Sequence, residues 1–215
     1  IYPDLPTNAA PSAGLADRIL AVVDAAGDDG SIDTDRIGLW GHSFGGWSVV
    51  MSATQSPRFK AVVALNGPYN LQLALSDMSP NQRILGGNTT DAVSGARWLE
   101  TGQAGMVQSY WTDPERYRRG SPFENADRIA APVLLIHGEL DFLGAHAEQM
   151  YAALVRLRRP AALPYLFGED HSIHNPGNAR IYYDQLTAWF DRYLRPEVPR
   201  SGPAIAVARP PSTPG

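Results

Sequence analysis

Residues 36–47 read Arg36-Ile37-Gly38-Leu39-Trp40-Gly41-His42-Ser43-Phe44-Gly45-Gly46-Trp47, and a helix-compatible run continues to Gln55. The apolar lead-in predicts a short buried strand over 37–40, and the run after the glycines predicts a helix over 46–55. Between them stands the pattern G-x-S-x-G. A chain that turns from strand to helix at one residue forces that residue into a strained conformation and needs small neighbours where the backbone passes close by. Gly41 and Gly45 are expected to supply them. This geometry lifts the Ser43 oxygen clear of the sheet and sets it at a helix N-terminus, where backbone N–H groups can hold a developing oxyanion. The Phe44 N–H is the expected donor.

A serine hydroxyl is a weak nucleophile until a base takes its proton, and the base needs a third group to fix its tautomer. After this kind of elbow the partners follow in the order acid, then histidine. Pro132-Val133-Leu134-Leu135-Ile136-His137 reads as a core strand and is followed by Gly138-Glu139-Leu140-Asp141. A helix is expected over 145–157 and a strand over 162–167. Gly168-Glu169-Asp170-His171 comes next, so His171 lies 30 residues after Asp141. One helix plus one strand returns the chain to the same sheet edge, so residues at successive strand ends can meet.

Each partner has a rival. Glu139 competes with Asp141, which is farther from the strand and better able to reach across. His174 competes with His171, which lies nearer the strand end. His42, inside the elbow, and His137, closing a core strand, read as structural, and Glu169 and Asp170 as shaping the turn. The five histidines show no H-E-x-x-H or paired spacing and there is no cysteine, so neither a metal nor another cofactor is expected.

These residues resemble the catalytic domain of the prolyl oligopeptidase family of serine peptidases. The matching stretches are Ile32-Asp33-Thr34-Asp35-Arg36-Ile37 with the elbow to Trp47, Ser121-Pro122, and Ala130-Ala131-Pro132 through Asp141. Gln149, Gly168-Glu169-Asp170-His171, Asn178 and Trp189-Phe190 follow. Similarity runs from about residue 12 to about 195. The lead-in D-x-x-R-I and the doubled glycine after the serine favour this family over lipases and generic esterases. The resemblance implies an α/β-hydrolase fold, a mostly parallel sheet with helices on both faces. It also implies Ser43 as nucleophile, Asp141 as orienting acid, His171 as general base and a peptide as substrate.

Two stretches depart from the family's pattern. Aromatic residues usually line the pocket for the residue before the cut bond, shortly after the strand that follows the nucleophile helix. Here that region reads Asn66-Gly67-Pro68-Tyr69-Asn70-Leu71-Gln72-Leu73-Ala74, with Tyr69 its one aromatic. Phe44, Tyr69 and Leu143 are the expected pocket residues, and a strict proline preference is not expected. The stretch 76–107 is longer than the family needs and includes an amphipathic piece, 92–100, with Trp98. It is either a lid or contact surface, or a solvated insertion.

The chain has few elements before the nucleophile strand, where a whole α/β-hydrolase has several strands and a second oxyanion donor. Residues 1–13 are irregular, and one helix is expected over 15–26, with Ser12 as a candidate cap. The expectation is therefore a carboxyl-terminal portion of a peptidase domain over 1–195. An upstream segment would precede it, in this family a β-propeller. A strand is expected over 59–65 and a last helix over 178–194, with Ile181, Leu186, Trp189, Phe190 and Tyr193 toward the core. A Pro-rich, disordered tail is expected over 196–215. With 44% hydrophobic residues the 215-residue chain can bury a sizeable core. A net charge of −4 gives no reason to expect a nucleic-acid partner, and no apolar run is long enough for a membrane span. The compartment is not legible. A peptidase of short peptides leads; an esterase with the same three residues, or a non-catalytic binding domain of this fold, are the alternatives.

Overall fold

The computed structural model describes residues 12–28, 30–78 and 94–195. Parallel strands β1 (Ile37–His42), β2 (Phe59–Leu65) and β3 (Val133–Gly138) lie side by side in that order, and β4 (Ala161–Ala162) and β5 (Tyr165–Leu166) both pair with β3. The described helices are α1 (Leu15–Gly27), α2 (Phe44–Gln55), α3 (Ser94–Glu100), α4 (Pro114–Gly120), α5 (Gly144–Arg156) and α6 (Pro176–Leu194). Short 3₁₀ turns cover Leu73–Ser76 and Phe123–Arg128. The alternation of strand and helix gives the expected mostly parallel sheet with helices on both faces.

Strands β2 and β3 are buried along their whole length except at Lys60, which is why they read as continuous apolar runs and not as alternating ones. Their side chains divide between two cores. Val62, Ala64, Val133 and Leu135 pack with Leu15 and Ile19 of α1, Trp47 and Val50 of α2, and Met150 and Leu154 of α5. Ala61, Val63, Leu65, Leu134 and Ile136 face the other way, onto Tyr182 and Trp189 of α6. Helix α2 is buried from Gly46 to Thr54, as a helix that is apolar all round must be. It is held between the sheet and the residues that follow β2.

Four expectations need correction. The strand expected over 162–167 is two short pieces. Both keep one register against β3 (Val133 with Ala161, His137 with Tyr165), and the gap falls at Leu163-Pro164, where proline has no N–H to give the ladder. Helix α1 is not capped by Ser12: Gly14 is its N-cap, with φ 61°, and makes no side-chain cap bond. On α6 the buried residues are Tyr182 and Trp189, whereas Ile181, expected in the core, is 46% exposed. The helix begins two residues early because Asn175 accepts from the Gly177 N–H and Pro176 fits its first turn. The fourth concerns Gly45 and belongs to the site below.

The described part of the long connection after β2 is not a solvated insertion. Leu99, Ala104, Met106 and Tyr117 are buried in the same core as α2, and the Trp47 indole N–H donates to the Gly120 carbonyl at 2.9 Å. Residues 1–11, 29, 79–93 and 196–215 lie outside the described residues, and with them the irregular start, the middle of the 76–107 stretch and the tail. No described helix is long and apolar enough to cross a membrane.

Candidate active site

Ser43 sits between β1 and α2 with φ 57° and ψ −120°, a conformation disfavoured for any residue but glycine. The strain is over-determined by its surroundings. The Ser43 N–H donates to the Leu65 carbonyl at 2.8 Å, and its own carbonyl accepts from Trp47 N–H at 3.1 Å. Gly41 is required: a Cβ there would come within 2.2 Å of the Gly45 carbonyl oxygen. Gly45 itself meets nothing within 4 Å, so the expectation that it, too, relieves crowding is incorrect. The second crowded glycine is Gly46, where a Cβ would lie 3.0 Å from the Leu65 carbonyl oxygen. Phe44 opens α2, so its N–H has no acceptor within the helix and remains available at the serine.

Three strand ends converge on this serine. The His171 Nε2 lies 2.8 Å from Ser43 Oγ, and its Nδ1 lies 2.9 Å from Asp141 Oδ2. Asp141 is buried, 7% exposed, and its other oxygen accepts from the Leu143 N–H at 3.1 Å. An ionised carboxylate only accepts. The neutral imidazole therefore carries its proton on Nδ1, leaving Nε2 to accept from the serine hydroxyl. The hydrogen bond to Asp141 raises the His171 pKa above the usual imidazole value, against the opposing effect of burial.

Sequence reasoning missed what holds His171 in place. Asn66, just past β2, is fully buried with φ 50°, a left-handed conformation that asparagine tolerates better than most residues. Its side-chain oxygen accepts from Gly138 N–H at 2.9 Å, and its amide nitrogen donates to the carbonyls of Asp170 and His171 at 3.2 and 3.0 Å. One side chain thereby ties three strand ends together. His42 completes the arrangement, its Nε2–H donating to the His171 carbonyl at 2.8 Å. Asn66 bears no charge and belongs to no motif; the only local signal is Asn-Gly-Pro after a strand, which announces a turn.

The rivals have other partners. Glu139 accepts from Gly168 N–H at 3.0 Å, joining the two loops. His174 is exposed and pairs with Asp170 at 3.3 Å. Glu169 is buried and accepts from His174 N–H, Asn175 N–H and the Asn178 amide at 2.7, 3.0 and 2.7 Å, which shapes the entry to α6. Those donors hold its pKa below the usual carboxylate value. His137 is fully buried beside Asp141, and burial pushes its pKa down to about 4.

Of the expected pocket residues, Tyr69 is wholly buried, its ring against Gly67, and Leu143 is 5% exposed. The half-buried Phe44 ring stacks on Trp47 at 4.7 Å and meets the edge of Trp98, from α3, at 6.1 Å. Among the described residues no cluster of His, Cys, Asp or Glu could hold a metal ion.

Comparison with known proteins agrees with this architecture. The family model described as "Prolyl oligopeptidase family" matches residues 12–197. Among curated proteins, dipeptidyl-peptidase 5 of Porphyromonas gingivalis is 29% identical over 185 residues, covering 82% of this chain and 24% of that protein. The uncharacterized peptidase YuxL of Bacillus subtilis is 27% identical, covering 83% of this chain and 25% of its own length. Among solved structures, a puromycin-hydrolyzing peptidase of Mycobacterium tuberculosis superposes with a TM-score of 0.71 at 25% identity, over 85% of this chain and 26% of that one. An acylaminoacyl peptidase of Pyrococcus horikoshii, at 21% identity and a TM-score of 0.69, shares the fold over 87% of this chain and 29% of its own. The chain thus spans about a quarter of the length of these relatives. With an α/β-hydrolase sheet, a strained serine elbow at its edge and a family match along most of its length, the chain belongs to the prolyl oligopeptidase family of serine peptidases.

Proposed function

We propose that this chain supplies the nucleophile, base and orienting acid of a serine peptidase acting on short peptides. The reading rests on one observation above the others: a single imidazole lies within hydrogen-bond distance of both Ser43 Oγ and a buried carboxylate. His171 Nε2 takes the Ser43 proton as Oγ attacks the peptide carbonyl, and Asp141 stabilises the imidazolium that forms. The Phe44 N–H, at the start of α2, donates to the oxyanion. His171 then passes its proton to the departing amine, and water, activated by the same imidazole, hydrolyses the acyl-enzyme. The relatives named dipeptidyl-peptidase 5 support a peptide substrate of limited length.

Alanine substitution in the full-length protein tests the assignment. S43A, D141A and H171A should each lower kcat by about 10⁴-fold or more, and the double variants should lose little beyond the singles, because the three groups act as one unit. A large loss in H174A with H171A near normal would reassign the base. Hydrolysis of esters without hydrolysis of peptides by the wild-type protein would make it an esterase.

A further inference from the structure

His137 closes β3 with both ring nitrogens buried and without a hydrogen-bond partner, an expensive arrangement for a polar ring. Its Nε2 points at the buried acid, 3.7 Å from the same Asp141 Oδ2 that accepts from His171. The groups around it are few. Asp141 and His171 face it from the loops after β3 and β5, and His146 and Glu148 from α5. The Tyr165 ring stands edge-on at 6.0 Å. A neutral imidazole carries one proton; neither nitrogen makes a formed hydrogen bond among the described residues, and the Asp141 carboxylate stands 3.7 Å from Nε2. A contact of 3.7 Å is longer than a formed hydrogen bond. Hydrogen bonds of catalytic groups are often long without substrate and tighten when it binds.

We infer that His137 is a positioning residue, its Nε2–H directed at Asp141 so as to keep that carboxylate aimed at His171. Burial keeps His137 neutral, its pKa pushed down to about 4, so it acts as a dipole and does not compete with His171 as a second cation. Asp141 then carries two kinds of restraint. The Leu143 N–H fixes one oxygen; His171 hydrogen-bonds the other, which His137 Nε2 faces at 3.7 Å. The inference rests on the assignment of Ser43, Asp141 and His171 proposed above.

The test compares H137F, which keeps a ring and loses the donor, with H137Q, whose amide restores an N–H near the Nε2 position. The full-length protein is assayed for kcat, KM, melting temperature and the pH profile of kcat/KM, with S43A as the control. H137F is expected to lower kcat about 10-fold or more with little change in KM. Its acid limb should move to higher pH, because an Asp141 relieved of one donor puts more of its charge on His171 and raises that pKa. H137Q should stay within about three-fold of wild type and keep the wild-type limb. Should H137F fail to accumulate, H137M, apolar and similar in volume, takes its place with the same expected result. A lower melting temperature with unchanged kcat and pH profile in the donor-less variants would overturn the inference and leave His137 a space-filling residue. Peptide hydrolysis surviving in S43A would instead overturn the site assignment, and this inference with it.

Discussion

The amide nitrogen of Asn66 lies 3.0 Å from the carbonyl oxygen of His171, 105 residues away in the chain. Through this bond the end of β2 holds the loop that carries the proposed base. The partner oxygen of the same side chain holds Gly138 at the end of β3. Asn66→Gly isolates this link, since glycine accepts φ 50° while removing every side-chain bond. Leaving a buried Gly138 N–H unpaired costs about 1–3 kcal/mol. The melting temperature should therefore fall, and kcat should fall by about 10-fold or more with KM little changed. A variant with normal kcat would show that the loop after β5 is held by other contacts, such as His42.

The pH dependence of activity follows from His171. Only the neutral ring can accept the serine proton, and the hydrogen bond to Asp141 raises the pH at which the proton leaves. The acid limb of kcat/KM should thus have its midpoint above the ordinary imidazole value of 6.5. Substituting Asp141 by Asn removes the main cause of the shift, so its residual activity should show a midpoint moved down. A midpoint well below 6.5 in the wild type would contradict the assigned pairing.

Stability has a separate pH signature, from His137. Its pKa is depressed in the folded protein to about 4, against 6.5 ordinarily. As pH falls through 6.5 the unfolded chain takes up a proton that the folded chain does not. Folding stability is therefore lost progressively down to about pH 4, by ~3 kcal/mol at about 1.4 kcal/mol per unit. The stability difference between wild type and H137F should shift in favour of the variant across this window, measured by urea melts at several pH values. Parallel stability curves would show that His137 does not titrate in this way.

Much of this was legible in the sequence, for reasons that differ by element. The β1–Ser43–α2 unit is local: its strand, its strained turn and its helix lie within about twenty residues and carry their own punctuation. Strand β2 was read to the residue because burial on both faces leaves an unbroken apolar run bounded by polar residues. The β4–β5 break was not foreseen, because hydrophobicity continues through Leu163 while only the missing N–H of Pro164 interrupts pairing. Asn66 escaped notice for a different reason. Its role exists only where three strand ends meet, and nothing within a few residues of it encodes that meeting. His137 was read as structural from its place in an apolar strand; its closeness to Asp141 depends on the turn that folds back over it.

Selectivity should reflect the aromatic wall beside the elbow. Phe44 stacks on Trp47 and meets Trp98 edge-on, while Tyr69 and Leu143 are buried. We expect a pocket that takes several apolar side chains before the cut bond. Trp98→Ala should broaden this preference and raise KM, with kcat changed less, because it loosens the wall without touching Ser43, Asp141 or His171. A peptide library cleaved only after proline would contradict the expectation.

The central claim is that Ser43 is the nucleophile activated by His171 and Asp141, and covalent labelling tests it most directly. The full-length protein is treated with a fluorophosphonate, digested, and the modified residue located by mass spectrometry, alongside H171A and D141A. The account predicts a single stoichiometric adduct on Ser43, formed at least 10³-fold more slowly in H171A and markedly more slowly in D141A, about what loss of general-base activation costs. An adduct on another serine, or labelling of Ser43 at the wild-type rate in H171A, would contradict it.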